Sequence, residues 1–167
     1  EYNLILIEFE RHGATQELDK DPQLIVEVFS QIPDEVKYRH PMSYLTYAYN
    51  YISSVDMEGG AELLAQIEEH YRNDESIPDE LRRRIAGEIE LAGSFLYFND
   101  LEKMNEKYLN AYNLLDGKSS IANKDMIFTF GTPHTLYLYY REKGRLLWIV
   151  EYLDNYFHYF CELSKGC

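Results

Sequence analysis

The sequence contains little cysteine, with only Cys161 and Cys167 near its end. Small secreted domains that depend on disulfides carry many more cysteines, so this scaffold class is excluded. Two cysteines in 167 residues indicate free thiols in a reducing compartment, and we expect a cytoplasmic protein. His158 and the two cysteines could offer metal ligands, but a fourth ligand and a Cys-x-x-Cys motif are lacking. We therefore expect no metal site.

Basic residues are also scarce, with 16 Lys and Arg against 29 Asp and Glu and a formal net charge of −13. Nucleic acids and anionic membranes are bound through clustered Lys and Arg, but the one basic cluster, Arg82 to Arg84, has acidic neighbours. The most apolar run, residues 146–150, is far shorter than a membrane span, and no signal peptide is evident. We expect neither nucleic acid nor membrane as a direct partner.

Aromatic residues are abundant, with 16 Tyr, 8 Phe and 1 Trp, and helical periodicity dominates the apolar pattern. Asp21 followed by Pro22 is a typical helix start. One apolar stripe follows, formed by Leu24, Ile25, Val28, Phe29 and Ile32. No convincing hairpin signal occurs, so we expect an all-α fold.

Further helices are predicted from spacing, caps and Gly or Pro punctuation. Residues 2–11 fit a helix or a strand, and 117–126 is the least ordered segment by composition. The predicted helices cover about 42–54, 56–71, 79–98, 100–116, 132–143 and 145–164.

The helices repeat in pairs. Asp56, Asp100 and Arg145 follow one another at intervals of 44 and 45 residues, and each lies between a first and a second helix. This pattern resembles tetratricopeptide repeats with lengthened loops, and an ordinary helical bundle is the alternative. We expect leading helices in residues 1–40 and three tetratricopeptide-like pairs of one α-solenoid in 41–167. The aligned inward positions are Tyr47, Ala48, Tyr51, Leu91, Ala92, Phe95, Leu136, Tyr137 and Tyr140 in the first helices, and Gly60, Leu64, Ile67, Met104, Tyr108, Ala111, Ile149, Leu153 and Tyr156 in the second.

Three segments carry a closer resemblance: YLTYAYNY at 44–51, LAGSFLYFNDLEKM at 91–104 and FTFGTPHTLYLYYREKG at 128–144. Together they resemble the central helical region of bacterial LuxR/MalT-type transcriptional regulators, over most of residues 21–164. In that family an ATPase module precedes the repeats and a helix-turn-helix that binds DNA follows them. This chain has neither a phosphate-binding loop nor a basic recognition helix. The resemblance therefore implies the sensor region of a longer regulator.

Catalytic motifs are not evident. No G-x-S-x-G elbow occurs, and Ser94 lies in a helical pattern where packing explains it. The Gly59-Gly60 pair lacks the following Lys and Ser or Thr of a phosphate loop, so close helix packing explains it better. We expect a protein that is not an enzyme and needs no cofactor.

The resemblance to tetratricopeptide repeats implies a concave face on the first helix of each pair. It maps to Leu45, Tyr49, Ile52, Ser53, Ile89, Gly93, Leu96, Tyr97, His134, Leu138, Arg141 and Glu142. The candidate binding residues on this face are Tyr49, Tyr97, His134, Leu138 and Arg141. Such a face suits a small-molecule inducer, a protein partner or another domain of the parent regulator, and an oligomer is compatible with it. The alternative is a purely structural protein–protein interaction scaffold.

Overall fold

The computed structural model describes residues 2–12, 21–98, 100–122 and 142–166, and these ranges contain α-helices and no strand. The expected all-α class is confirmed for them. None of the described helices is both long and apolar enough to cross a membrane. The helices are α1 (Tyr2–His12), α2 (Pro22–Ser30), α3 (Asp34–Tyr38), α4 (Pro41–Ser54), α5 (Met57–Asn73), α6 (Asp79–Ser94), α7 (Leu101–Leu115) and α8 (Arg145–Leu163), with a 3-10 turn at Phe95–Tyr97.

Three aspartates cap helix N-termini as the sequence predicts. The Asp21 carboxylate accepts from the backbone N–H of Leu24 at 3.3 Å, and Asp100 accepts from the third residue of α7 at 3.2 Å. Asp56 accepts from the backbone N–H groups of Glu58 and Gly59, both at 3.1 Å. Each cap satisfies N–H groups that the first helical turn leaves without partners.

Some boundaries differ from the prediction. Residues 2–11, which fit a helix or a strand by sequence, lie in α1. α3 is not among the predicted helices, because its five residues are too few to show an apolar stripe. In the structure Pro33 is the residue before the first turn of α3. The α-helical part of α6 ends at Ser94 and continues as the 3-10 turn. The helix predicted over 132–143 lies almost entirely outside the described residues.

The helices pack in succession along the chain. α4 packs on α5, α6 packs on α7, and both α4 and α5 contact α6. α7 in turn contacts α8, while α1, α2 and α3 all pack on α4. The α6–α7 contact is the most extensive, so these two helices form the centre of the described fold.

Most of the predicted inward positions are buried. Tyr51 and Leu153 are half-buried, and Tyr156 is 36% exposed, so the prediction is wrong for Tyr156. Its ring lies on the surface of α8, with its centroid 4.6 Å from that of Tyr152. Residues 136, 137 and 140 lie outside the described ranges. The confirmed positions are Tyr47, Ala48, Gly60, Leu64, Ile67, Leu91, Ala92, Phe95, Met104, Tyr108, Ala111 and Ile149.

The expectation of free thiols is wrong at Cys161, which is disulfide-bonded. α8 ends at Leu163, and the chain then takes positive φ angles of 66° at Lys165 and 122° at Gly166. The Gly166 N–H donates to the carbonyl oxygen of Cys161 at 2.7 Å. The chain thus turns back towards Cys161 just before Cys167, the other cysteine of the sequence, which is outside the described residues.

α4 and α5 approach each other closely because residue 60 is a glycine. A Cβ atom at Gly60 would lie 2.9 Å from both the backbone N and the Cα of Ile52, whereas a Cβ at Gly93 would meet only the end of Leu64 at 3.6 Å. We expect Gly60→Ala to lower the free energy of unfolding by about 1–3 kcal/mol because backbone must move. Gly93→Ala should be neutral or add up to about 1 kcal/mol, since alanine favours helix. Urea unfolding of both variants checks this, and equal effects would contradict it.

Candidate functional site

Two of the five predicted binding residues lie in the described part of the chain. Tyr49 is half-buried on α4, and its ring meets Phe95 edge-to-face with centroids 4.7 Å apart. Tyr97 is half-buried in the 3-10 turn, with the Lys103 ammonium 5.7 Å from its ring centroid. Tyr49 thus contacts the 3-10 turn that carries Tyr97. His134, Leu138 and Arg141 lie outside the described residues, so their place in a groove stays a prediction.

The predicted concave face is closed only in part where it can be placed: Tyr49, Ser53, Leu96 and Tyr97 are half-buried, and Glu142 is exposed. Leu45, Ile52, Ile89 and Gly93 are buried. The physical reason is the close approach of neighbouring helices: Ile52 is covered by α5 at Gly60. These buried residues belong to the core and do not line a groove between α4 and α6.

A groove lies instead beside α6, between α5 and α7, and we call it the α5–α7 groove. It encloses a cavity of about 560 Å³. α5 and α7 make few contacts with each other, whereas each of them packs on α6. Its lining residues are Glu68, Tyr71 and Arg72 of α5, Arg82, Ile85, Ala86, Ile89 and Glu90 of α6, and Asn110, Asn113 and Leu114 of α7.

The α5–α7 groove has an apolar floor and polar rims. Ile85, Ala86 and Ile89 lie on one stripe of α6, at the spacing that places side chains on one face of a helix. On the α5 rim Arg72 pairs with Glu68. On the α7 side the Glu90 carboxylate accepts from Lys107 Nζ at 2.9 Å and from Asn110 Nδ2 at 3.1 Å. The acidic side chains of the groove are therefore already paired.

Arg82 lies at the end of the groove that is nearest the α5–α6 connection. Its Nη2 donates to the backbone carbonyl oxygens of Asp74 at 2.9 Å and of Ile77 at 3.1 Å. Within the described part of the chain, the buried Nε of Arg82 has no acceptor, and no carboxylate is close enough to the guanidinium to form an ion pair. The pKa of Asp74 is lowered chiefly by hydrogen bonds from Ser76, with a smaller contribution from the charge of Arg82. The guanidinium is held by two neutral carbonyls and forms no ion pair within the described part of the chain, although its charge acts on the Asp74 carboxylate.

The three successive arginines serve different purposes that the sequence does not separate. Arg83 does not line the groove, and it donates to the Asp116 carboxylate at 2.6 Å and to the backbone carbonyl of the lining residue Asn113 at 3.0 Å. Arg84 donates to the hydroxyl of Ser120. The sequence signal that could have located the α5–α7 groove is the spacing of Arg82, Ile85, Ala86 and Ile89, which places them along one face of α6.

A buried glutamate was also missed. Glu88 of α6 is 0% exposed, and its carboxylate accepts from the Ser119 hydroxyl at 2.5 Å and from the Ser120 backbone N–H. The Ser119 oxygen accepts in turn from the backbone N–H groups of Ile121 and Ala122 at 3.0 and 2.8 Å. The predicted weak order of 117–126 is therefore wrong for 117–122, where a buried carboxylate holds the chain in place.

Burial has the largest effect on the pKa of this carboxyl group. Loss of hydration raises the pKa of Glu88, and this effect exceeds the opposing hydrogen bonds from Ser119 and Ser120 and the charge of Arg84. The backbone N–H of Ser119 also donates to the Leu163 carbonyl at 3.1 Å, at the end of α8. The segment that Glu88 holds thus connects α6 with the last turn of α8.

A second cavity, of about 260 Å³, lies among α2 to α5 beside Tyr44, Tyr47 and Tyr51. Burial raises the pKa of Tyr47 to about 12, so its hydroxyl stays neutral at ordinary pH. Lys37 lies 5.7 Å from the Tyr44 ring centroid but is paired with Asp34. This cavity is smaller than the α5–α7 groove, and because its lysine is already paired, the charge that it offers is that of the Glu62 carboxylate.

No group of three His, Cys, Asp or Glu side chains suited to a metal ion occurs within the described ranges. Comparison of the chain with protein-family models, with curated proteins and with solved structures finds no match. The chemistry of the groove is therefore the basis on which a function is assigned.

Proposed function

We propose that this chain is a binding region, without an ATPase or DNA-binding module of its own, and that the α5–α7 groove holds its ligand. The supporting observation is the cavity of about 560 Å³ with an apolar floor and few polar groups. Small-molecule sites have volumes of about 300–1,000 Å³ and this kind of lining. The sequence resemblance supports the further proposal that the parent protein is a LuxR/MalT-type transcriptional regulator that senses an inducer or partner.

The proposed architecture is a tetratricopeptide-like α-solenoid. α4–α5 and α6–α7 would be its first two pairs and α8 the second helix of a third pair, preceded by the leading helices in residues 1–40. The succession of contacts from α4 to α8 supports this arrangement. So do the small buried residues Ala48, Gly60 and Ala92, which let helices approach closely.

The proposal includes a cytoplasmic, non-enzymatic role. The groove offers hydrogen-bond donors and apolar surface rather than a nucleophile beside a base, which suits binding. In a cytoplasmic protein the disulfide at Cys161 would belong to the transient or redox-sensing kind.

Filling the groove tests the proposal. A library of sugars, acids and peptides is first screened for compounds that raise the melting temperature of the unchanged chain. We expect Ala86→Trp, on the floor of the α5–α7 groove, to abolish any such rise. Ala65→Trp places the same side chain on the exposed part of α5 and should keep the response. Ligand-induced shifts that survive Ala86→Trp would place binding elsewhere, and no shift with any compound would favour the scaffold.

The scaffold remains the second candidate because α8 exposes apolar side chains. Leu146 and Leu147 are 53% and 73% exposed, and Val150 lies on the same part of the helix. Apolar side chains grouped at one helix end are typical of protein contacts. A change in oligomeric state with protein concentration, measured by analytical ultracentrifugation and removed by Leu147→Glu, would favour this alternative.

A further inference from the structure

We infer that the α5–α7 groove selects an amphipathic carboxylate, whose apolar body covers Ile85 and Ile89 and whose carboxylate meets Arg82. This inference rests on the proposed binding function and deepens it. Its basis is the distribution of charge among the lining residues. Glu68 and Arg72 pair with each other, and the Glu90 carboxylate accepts from Lys107 and Asn110. Arg82 is therefore the one cationic side chain of the described lining that forms no ion pair.

Arg82 is also fixed in position. Two backbone carbonyls hold Nη2, and its other terminal nitrogen, Nη1, has no acceptor in the described ranges. A guanidinium that is already ordered loses little side-chain entropy when it binds an anion, and Nη1 can donate a charge-assisted hydrogen bond to one carboxylate oxygen. The site is thus charge-complementary to an anion despite a net charge of −13 for the whole chain.

The length of the floor limits the apolar body. Arg82 and Glu90 are eight residues apart on α6, which corresponds to about 12 Å along the helix axis. Between them lie Ile85, Ala86 and Ile89, and Leu114 and Tyr71 flank this floor. An acyl chain of medium length fills this distance, with its end near the paired Glu90. A longer chain would extend past the Glu90 end of the groove into solvent.

The ligand series provides the first test. Binding of octanoate, octanol and octylamine to the unchanged chain is measured by isothermal titration calorimetry, below the concentrations at which these compounds aggregate. We expect octanoate to bind about tenfold to a hundredfold more tightly than octanol, which corresponds to a charged hydrogen bond. Octylamine should bind no more tightly than octanol. Equal affinities for octanoate and octanol would overturn the inference without the use of any variant.

Two arginine variants on the same helix provide the second test. Arg82→Gln should reduce octanoate affinity to that of octanol. Arg84→Gln removes the same charge from the same helix, at a side chain that donates to Ser120 outside the lining, and should keep the preference for octanoate. If Arg82→Gln fails to fold because Asp74 and Ile77 lose their donor, Arg82→Lys is used. It should weaken octanoate binding at least several-fold, since one ammonium nitrogen cannot hold both carbonyls and also take the place of Nη1.

Failure of the inference is distinguishable from failure of the proposed function. If octanoate does not bind but other compounds bind and lose binding in Ala86→Trp, the groove is a site and its ligand is not an amphipathic carboxylate. If octanoate binds equally well to Ala86→Trp, the carboxylate is held elsewhere on the chain. Both results overturn the inference, and only the second also counts against the groove as the binding site.

Discussion

Glu88→Ala is expected to lower the free energy of unfolding by about 2–4 kcal/mol, because the variant leaves the buried donors of Ser119 and Ser120 without their acceptor. The effect should extend beyond α6. Ser119 donates to the Leu163 carbonyl, so the end of α8 loses an ordered partner as well. Urea unfolding measures the loss. Hydrogen exchange should locate the faster opening in residues 117–122 and in the last turn of α8 rather than in α4 or α5.

Glu88→Gln provides the matched control, since it keeps the shape and an acceptor oxygen but cannot ionise. Burial raises the pKa of Glu88, so the folded state binds the proton more tightly than the unfolded state does. The stability that this tighter proton binding adds is fully present below the usual pKa of a carboxyl group, about 4. It is lost as the pH rises through the raised pKa of Glu88. The stability of the unchanged chain relative to Glu88→Gln should therefore fall as the pH rises from 4 towards neutrality. A difference that grows with pH would contradict this assignment.

The helices were predictable because their signals are local. Asp21, Asp56 and Asp100 precede helical runs and accept the hydrogen bonds expected of caps. The inward positions also follow from periodicity, since a residue such as Tyr108 must face a neighbouring helix when its whole stripe is apolar. α3 escaped prediction because a five-residue helix is too short to show a stripe.

The binding surface was not predictable to the same extent, since it depends on distances between helices. Leu45 and Ile52 are apolar residues on the expected face, but the absent side chain at Gly60 brings α5 close enough to cover Ile52. The role of Glu88 depends on Ser119, which lies 31 residues away in the sequence. Similarly, the sequence groups Arg82 with Arg83, although only the packing of α7 shows that they have different partners.

Phe29→Ala is expected to cost about 3–5 kcal/mol, the largest effect of a single substitution proposed for this chain. Phe29 is 2% exposed and stacks on Tyr47 of α4, with ring centroids 4.1 Å apart and planes at 4°. It also meets Phe9 of α1 edge-to-face at 5.3 Å, so one ring joins three helices.

α2 has nine residues and depends on this packing, because isolated helices shorter than about 12–15 residues are marginal in water. Phe29→Ala should therefore remove amide protection from α2 before the rest of the chain unfolds. Leu24→Ala is the control on the same helix: Leu24 is 44% exposed, and its truncation should cost less than about 1 kcal/mol. Chemical denaturation combined with hydrogen exchange measures both variants. Equal losses for the two, or unchanged protection of α2 in Phe29→Ala, would show that the Phe29–Tyr47 stack does not hold α2 on α4.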